Sequence, residues 1–320
     1  MPNCPLCETY TTKETSQNSL PLSSNLFLSK LIKSVDKMPD YSLLLCDKCH
    51  LIFTDPMKGP GSEFYESDFL PYKIGRILDN QQIRWPQRIF LNTGTPGKGD
   101  LLDVGCNTGL FLTEALKSGY NVTGIDFDHN AISIAKQNPL LKEIYLSTLD
   151  NFIPKTNIKY DIVTLFDVLE HLDDVKVIFK QLKTILKPGG YLVLSIPNRD
   201  RGIDIFNELD LPPHHLTHWN AKVLTSFLVN KGFNIINIDN IIKYDDLALY
   251  ISNKTSIGLV KNKIGNNKTD NLSTNTIKML KILSKLKNIL SFLLGRLLYL
   301  PLLIFKTQSP TIYVLAQLKK

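Results

Sequence analysis

Three groups of residues in this 320-residue chain have types and spacings that could do chemistry. Two Cys-x-x-Cys pairs come first, Cys4 with Cys7 and Cys46 with Cys49. One such knuckle lets two thiolates reach a single ion, and two knuckles complete a tetrahedral sulfur shell suited to zinc. Four thiolates leave no open coordination position, so a site of this kind is structural. The second group is a glycine-bearing bend after an apolar run, from Asp103 through Gly105, Asn107 and Gly109. Glycine there lets backbone approach a flat ligand, and the helix that follows offers unpaired N–H groups. Cys106, inside the bend and without a partner, reads as a small packing residue. The next apolar run ends in Asp126, an acid placed to accept hydrogen bonds from both hydroxyls of a ribose. Third comes an imidazole-rich loop, His214, His215 and His218 beside Trp219, stiffened by Pro212 and Pro213, with His171 upstream. A histidine titrates near neutrality, which suits it to taking a proton from a hydroxyl.

These groups can meet only if the elements between them bring them to one place. Short apolar runs at 101–104, 122–125, 143–146, 161–166, 191–196 and 233–238 read as strands, and a last one at 311–318 follows an insertion. Helical spacing lies between them at 110–117, 131–137, 175–186 and 221–230. Lys187, Pro188, Gly189 and Gly190 stop one helix and turn the chain into a strand. Such alternation predicts a mostly parallel sheet with crossover helices, whose ligand crevice lies at the carboxyl ends of the strands. The glycine bend and the imidazole loop both fall at that edge. Glycines at 105 and 109 alone do not complete the G-x-G-x-x-G of dinucleotide enzymes, which disfavours a nicotinamide cofactor. The chain divides into a metal-binding module at 1–60, a helical connector at 61–99 and the catalytic body at 100–250. A basic apolar helical insertion at 251–308 and the body's last strand at 309–320 complete it.

Residues 160–172 and 186–198, taken with the bend at 103–109, carry a resemblance. In motif content, order and spacing, residues 100–240 resemble the class I S-adenosylmethionine-dependent methyltransferases. The resemblance implies an α/β, Rossmann-like fold: a mostly parallel seven-stranded sheet with an antiparallel last strand, plus a small zinc-ribbon-like N-terminal module. It implies S-adenosylmethionine as cofactor, with Asp103, Gly105, Asn107 and Gly109 facing its amino-acid part and Asp126 holding its ribose. Thr148, Leu149 and Asp150 would border the adenine, and Phe166 and Asp167 the reacting methyl group. Asn107 stands where the family has the middle glycine of a G-x-G-x-G bend, and asparagine tolerates left-handed backbone better than other side chains. Residues 212–219, the four cysteines and residues 49–56 are similar to a subgroup of these enzymes that carries an N-terminal zinc module. In related nucleotide-sugar methyltransferases a His-Glu-His run occupies the same loop, and its second His serves as base. Registered on that pattern, His215 takes the base position, His214 replaces the Glu, and His171 is a third catalytic candidate.

The net charge of +7 is concentrated in one segment: residues 254–306 hold nine Lys and Arg296 against the single acid Asp270. The rest of the chain is mildly acidic, which disfavours nucleic acid as a partner and an RNA methyltransferase as the function. No Asn-Pro-Pro-Phe-type base clamp is present either. Apolar residues recur at helical spacing through 277–298 with lysines between them, and the apolar run 289–305 is broken by Arg296 and Pro301. A span needs about 20 apolar residues, so a peripheral, in-plane contact of 276–306 with anionic headgroups fits better. The first twenty residues are polar and hold two cysteines, which predicts a cytoplasmic protein, met at the inner face of the membrane. The leading expectation is methyl transfer to a hydroxyl of a sugar or glycan-type acceptor, lipid-linked ones included, with a histidine base. The alternative is a quinone or lipid O-methyltransferase; a membrane-docked scaffold that kept the fold without the chemistry is a further one.

Overall fold

The computed structural model describes residues 2–11, 39–61, 83–95, 97–203, 210–247, 293, 295–296 and 298–320. Near the N-terminus β1 (Ser42–Leu45) and β2 (Ile52–Asp55) pair as an antiparallel hairpin. Helix α1 (Trp85–Thr93) leads into the body, whose first half runs β3 (Asp100–Val104), α2 (Leu110–Lys117), β4 (Asn121–Asp126), α3 (His129–Ala135) and β5 (Glu143–Leu146). After the single turn α4 (Leu149–Phe152) come β6 (Tyr160–Phe166), α5 (Val175–Ile185) and β7 (Leu186–Pro197). The chain ends through β8 (Thr217–His218), α6 (Ala221–Asn230), β9 (Phe233–Ile241) and β10 (Gln308–Leu318).

Seven strands form the main sheet in the order β5-β4-β3-β6-β7-β10-β9. The pairs from β5 through β7 are parallel, and β10 slots antiparallel between β7 and β9, as the expected fold class requires. The strand order reverses between β3 and β6, the place where open α/β sheets form their crevice. Side chains alternate between two cores: Leu102, Val163, Leu192 and Leu194 face one, Leu101, Ile162 and Val193 the other. Burial on both faces is why these strands read as largely apolar runs.

Helix starts follow from short polar caps. Asp128 accepts from the amides of Asn130 and Ala131, Asp174 from those of Lys176 and Val177, and Asn220 from that of Val223. Helix α5 buries Val175, Phe179, Leu182 and Ile185, one face at helical spacing. The residues Lys187–Gly190, expected as a turn, lie within β7 instead; Gly189 takes φ 76° there and the pairing with β6 shifts register between Tyr160 and Ile162.

The three-stranded sheet β1-β2-β8 is the feature that sequence patterning did not anticipate. The N-terminal module does not close on itself; its third strand comes from the imidazole loop, with Ile52 opposite His218 and Phe53 opposite Thr217. Its apolar residues Leu44, Leu51 and Phe53 join the same core as Leu194 and Trp219. The expected connector at 61–99 falls largely on residues outside those described, as does the insertion up to residue 292. Residues 298–304 are helical and expose Leu298, Leu300 and Ile304; no helix among the described residues is long and apolar enough to cross a membrane.

Phe179 is fully buried, edge-on to Phe227 at 4.8 Å and to Phe233 at 6.2 Å. Phe179→Ala is expected to destabilise the body by about 3–5 kcal/mol, read from the midpoint shift in denaturant unfolding at unchanged slope.

Candidate active site

The crevice begins where β3 ends. The amides of Gly105 and Cys106 both donate to the carbonyl of Ile125, at 2.8 and 3.0 Å, which hangs the bend on the end of β4. Gly105 and Gly109 adopt φ of 79° and 76°, and a Cβ at Gly105 would come within 2.6 Å of Val168 Cγ2. Asn107 sits at φ 49°, so the side chain in place of glycine does occupy left-handed backbone. Its Oδ1 accepts from the Thr108 amide at 2.8 Å, and its own amide donates to Asp126 Oδ2 at 2.8 Å.

Asp126 is held from both sides, since its Oδ1 accepts from the Asp128 amide at 2.9 Å. Burial raises its carboxyl above the ordinary value, and the backbone donors of Asp128 and Asn107 pull it back. Asp103 is buried one strand away and accepts from Thr164 Oγ1 at 2.6 Å. Burial lifts its carboxyl to about 7, against the opposing Thr164 hydrogen bond and with help from the Asp126 charge. Leu149 is buried at the start of α4, while Asp150 is exposed and meets Gln181 Nε2. Phe166 closes β6 edge-on to Phe111 at 4.8 Å. Asp167 follows at φ 55°, its amide on the Ser195 carbonyl at 2.9 Å and its carboxylate on Ser195 Oγ at 3.0 Å. Arg84, just before α1, forms an ion pair with Asp167 and donates to Thr311 Oγ1 at 3.0 Å.

The structure brings His171, His214 and His215 together. Their ring centroids lie 4.6–4.8 Å apart, and the Asp167 charge acts on His171. His171 leaves a 3-10 turn (Leu169–His171) directly after β6, and its Nδ1 is 2.5 Å from the His214 carbonyl oxygen. His215 turns Nδ1 toward Asp210 Oδ1 at 3.3 Å, and Asp210 also pairs with Arg201. Burial lowers the pKa of His171, and lowers that of His215 well below the ordinary imidazole value, where the neighbouring His171, His218 and Arg201 add to it. Burial likewise takes His218 to about 4, with Arg201 and Arg199 contributing, but its ring belongs to β8 and not to the trio. Trp219 is fully buried and donates Nε1–H to Thr217 Oγ1 at 2.8 Å, a structural role. Arg84, Glu170 and Asp210 entered the site unforeseen; Asp210 alone had a sequence signal, an acid a few residues ahead of the imidazole pair.

The four cysteine sulfurs lie within 4.8 Å of one another, with Cys4 Sγ 3.4 Å from Cys49 Sγ and Cys7 Sγ 3.5 Å from Cys46 Sγ. These separations are non-bonded, and all four thiols are unoxidised, a donor set that could hold one metal ion. The two knuckles are alike: Glu8 and His50, each four residues past the first cysteine, take φ of 61° and 60°. Each donates its amide back to that cysteine's carbonyl, at 3.0 and 2.8 Å. From this module β2 reaches the imidazole loop, where the Thr54 amide donates to the Leu216 carbonyl at 2.9 Å and the Leu216 amide to the Glu170 carbonyl at 2.8 Å.

Comparison with known proteins gives the family and the fold. The profile of a methyltransferase-domain family matches residues 74–238. A ubiquinone biosynthesis O-methyltransferase of Coxiella burnetii is 36% identical over 155 residues, 44% of this chain and 66% of that protein. The mitochondrial one of Candida albicans is 34% identical over 145 residues, 42% of each chain, and that of Aeromonas salmonicida 30% identical over 104 residues, 31% of this chain and 44% of that protein. The match thus spans between 42% and 66% of these relatives' length. Among solved structures, phosphoethanolamine N-methyltransferase 2 of Haemonchus contortus superposes with a TM-score of 0.51 at 17% identity, over 81% of this chain and 60% of that one, a likeness of fold.

Because β2 and the imidazole loop share a sheet, loosening the cysteine module is expected to misplace the histidines while leaving the glycine bend intact. Cys46→Ser should lower turnover by at least about tenfold, with the cofactor dissociation constant changed less than about threefold. Parallel calorimetry and steady-state kinetics check the split.

Proposed function

The chain belongs to the methyltransferase-domain family, and we propose that it moves a methyl group from S-adenosylmethionine to a hydroxyl of a small quinone-precursor-type acceptor. The carrying observation is convergence: the glycine bend follows β3, Asp126 ends β4, and His171 follows β6 with His214 and His215 packed against its ring. Asp103, Gly105, Asn107 and Gly109 would receive the amino-acid part of the donor, Asp126 its ribose, and Leu149 and Asp150 its adenine. Phe166 and Asp167 would flank the sulfonium. The transfer is an in-line displacement on a methyl group the cofactor supplies, so the protein's work is alignment, exclusion of water and removal of the hydroxyl proton. His215, oriented by Asp210, and its neighbours His214 and His171 would meet that hydroxyl.

The names of the relatives support a quinone-type acceptor over the sugar or glycan expected from the loop's histidine pattern. Cys4, Cys7, Cys46 and Cys49 would hold a structural zinc ion, consistent with their mutual distances. Residues 276–306 would carry the body to an anionic lipid surface where a quinone-like acceptor dissolves, a role the exposed Leu298, Leu300, Ile304 and Phe305 suit.

The test pairs calorimetry with methyl-transfer assays on ortho-dihydroxy aromatics and on nucleotide sugars. Asp126→Ala should weaken donor binding by at least about tenfold, and methyl should reach the aromatic hydroxyl. Transfer to sugars alone would overturn the acceptor assignment, and absence of donor binding the whole reading.

Donor affinity should also depend on pH through Asp103. Above about 7 its carboxyl is an anion that favours the cationic sulfonium and ammonium; below, protonation removes that attraction. Affinity is therefore expected to fall a few-fold from about pH 8 to about pH 6, and Asp103→Asn to flatten the dependence.

A further inference from the structure

We infer that His171, His214 and His215 bind a divalent transition-metal ion, which receives the acceptor's oxygen beside the methyl donor. A general base needs one imidazole with one orienting partner. Here three rings face one another within 4.8 Å, and their nitrogens can reach a common point. The polar partners behind them are of the kind that metal-binding histidines need. The Nδ1 of His171 donates to the His214 carbonyl, and that of His215 lies 3.3 Å from Asp210 Oδ1. Carbonyl and carboxylate partners of this kind fix the tautomer and ring direction of metal-ligating imidazoles. Arg201 in turn pins Asp210, which makes the support two layers deep.

A second observation points the same way. Glu170 is 1% exposed, and neither of its carboxylate oxygens has a hydrogen-bond partner among the described residues. Its Oε1 lies 3.7 Å from His171 Nε2, at the face of the trio. A buried carboxylate left without donors is costly, and a cation at the trio supplies what it lacks.

The donor set defines the ligand class. Imidazole nitrogens suit zinc, iron, cobalt, nickel or copper rather than magnesium or calcium. Three protein ligands leave coordination open, unlike the four-cysteine site, and two adjacent hydroxyls of one acceptor could occupy the opening. Resting on the proposed methyl transfer, the assignment adds how the hydroxyl is made reactive. The acceptor oxygen binds the ion and its O–H proton leaves to water. That oxygen then forms a bond to the methyl carbon as the carbon–sulfur bond breaks, its electron pair staying on what becomes a neutral thioether.

The experiment titrates Co2+ alone into the full-length, zinc-supplemented chain, with bound metal counted by equilibrium dialysis and elemental analysis. His171→Ala and His215→Ala are each expected to hold one ion fewer per chain than the wild type. The ion they lose should give visible cobalt bands without near-ultraviolet sulfur-to-cobalt absorption. Donor calorimetry serves as the folding control, and the conservative His214→Gln should weaken the same ion by at least about tenfold. Equal metal content in wild type and both alanine variants overturns the site, as does a lost ion that carries the sulfur absorption. The count is independent of turnover. Specific loss of a nitrogen-bound ion from a protein that methylates nothing would uphold the site while removing the proposed reaction. Methyl transfer in a protein with no such ion would do the reverse.

Discussion

Parallel pairing of β3 with β4 on one side and β6 on the other is the constraint on which the reactive edge depends. Register places Asp103 opposite Gly124 and opposite Thr164, and Val104 opposite Ile125. With that register the Ile125 carbonyl takes two amides from the residues after β3, and the chain must leave the sheet in a left-handed bend. Any L side chain at Gly105 would be strained there and would collide with Val168. The same register sets Thr164 against the Asp103 carboxyl and brings the Asn107 amide to Asp126. One slip would part all four groups at once, because a one-residue shift sends every side chain to the opposite face.

The edge that results is rich in buried acid. Asp103, Asp126 and Glu170 are each at most 9% exposed, and burial raises all three carboxyls. The nearby cations are engaged elsewhere, Arg84 with Asp167 and Arg201 with Asp210. Buried anions are tolerated when hydrogen bonds or a counter-charge offset their desolvation. Backbone amides do this for Asp126 and a hydroxyl for Asp103. Carboxyls raised in this way ionise more readily when a cation arrives beside them, which suits a sulfonium donor.

Much of this was legible because the relevant signals are local. Two-sided burial writes β3, β6 and β7 as largely apolar runs, and the bend must carry glycine or asparagine where φ is positive. The paired cysteines announce themselves by spacing. What escaped was set by contacts distant in sequence. Thr217 and His218 have no strand pattern of their own and become β8 only because β2 lies alongside. Arg84 meets Asp167 across 83 positions, and nothing around either residue predicts the other. β10 starts at Gln308, earlier than its apolar run, because Gln308 pairs with Ile241 on an extended β9.

The β2–β8 contact also explains why a small four-cysteine module would sit on this body. A two-residue strand and two four-residue strands are too short to hold their register unaided, since even isolated hairpins are marginal in water. Joining Cys4 and Cys7 to Cys46 and Cys49 through one ion would remove much of the chain's freedom before the hairpin forms, so the remaining pairing costs less entropy. That rigidity reaches the imidazoles through the backbone, from Thr54 to Leu216 and from Leu216 to Glu170. The loop that carries His214 and His215 is therefore gripped from β6 on one side and from the cysteine module on the other. Irregular backbone can then keep three rings in contact without regular secondary structure of its own.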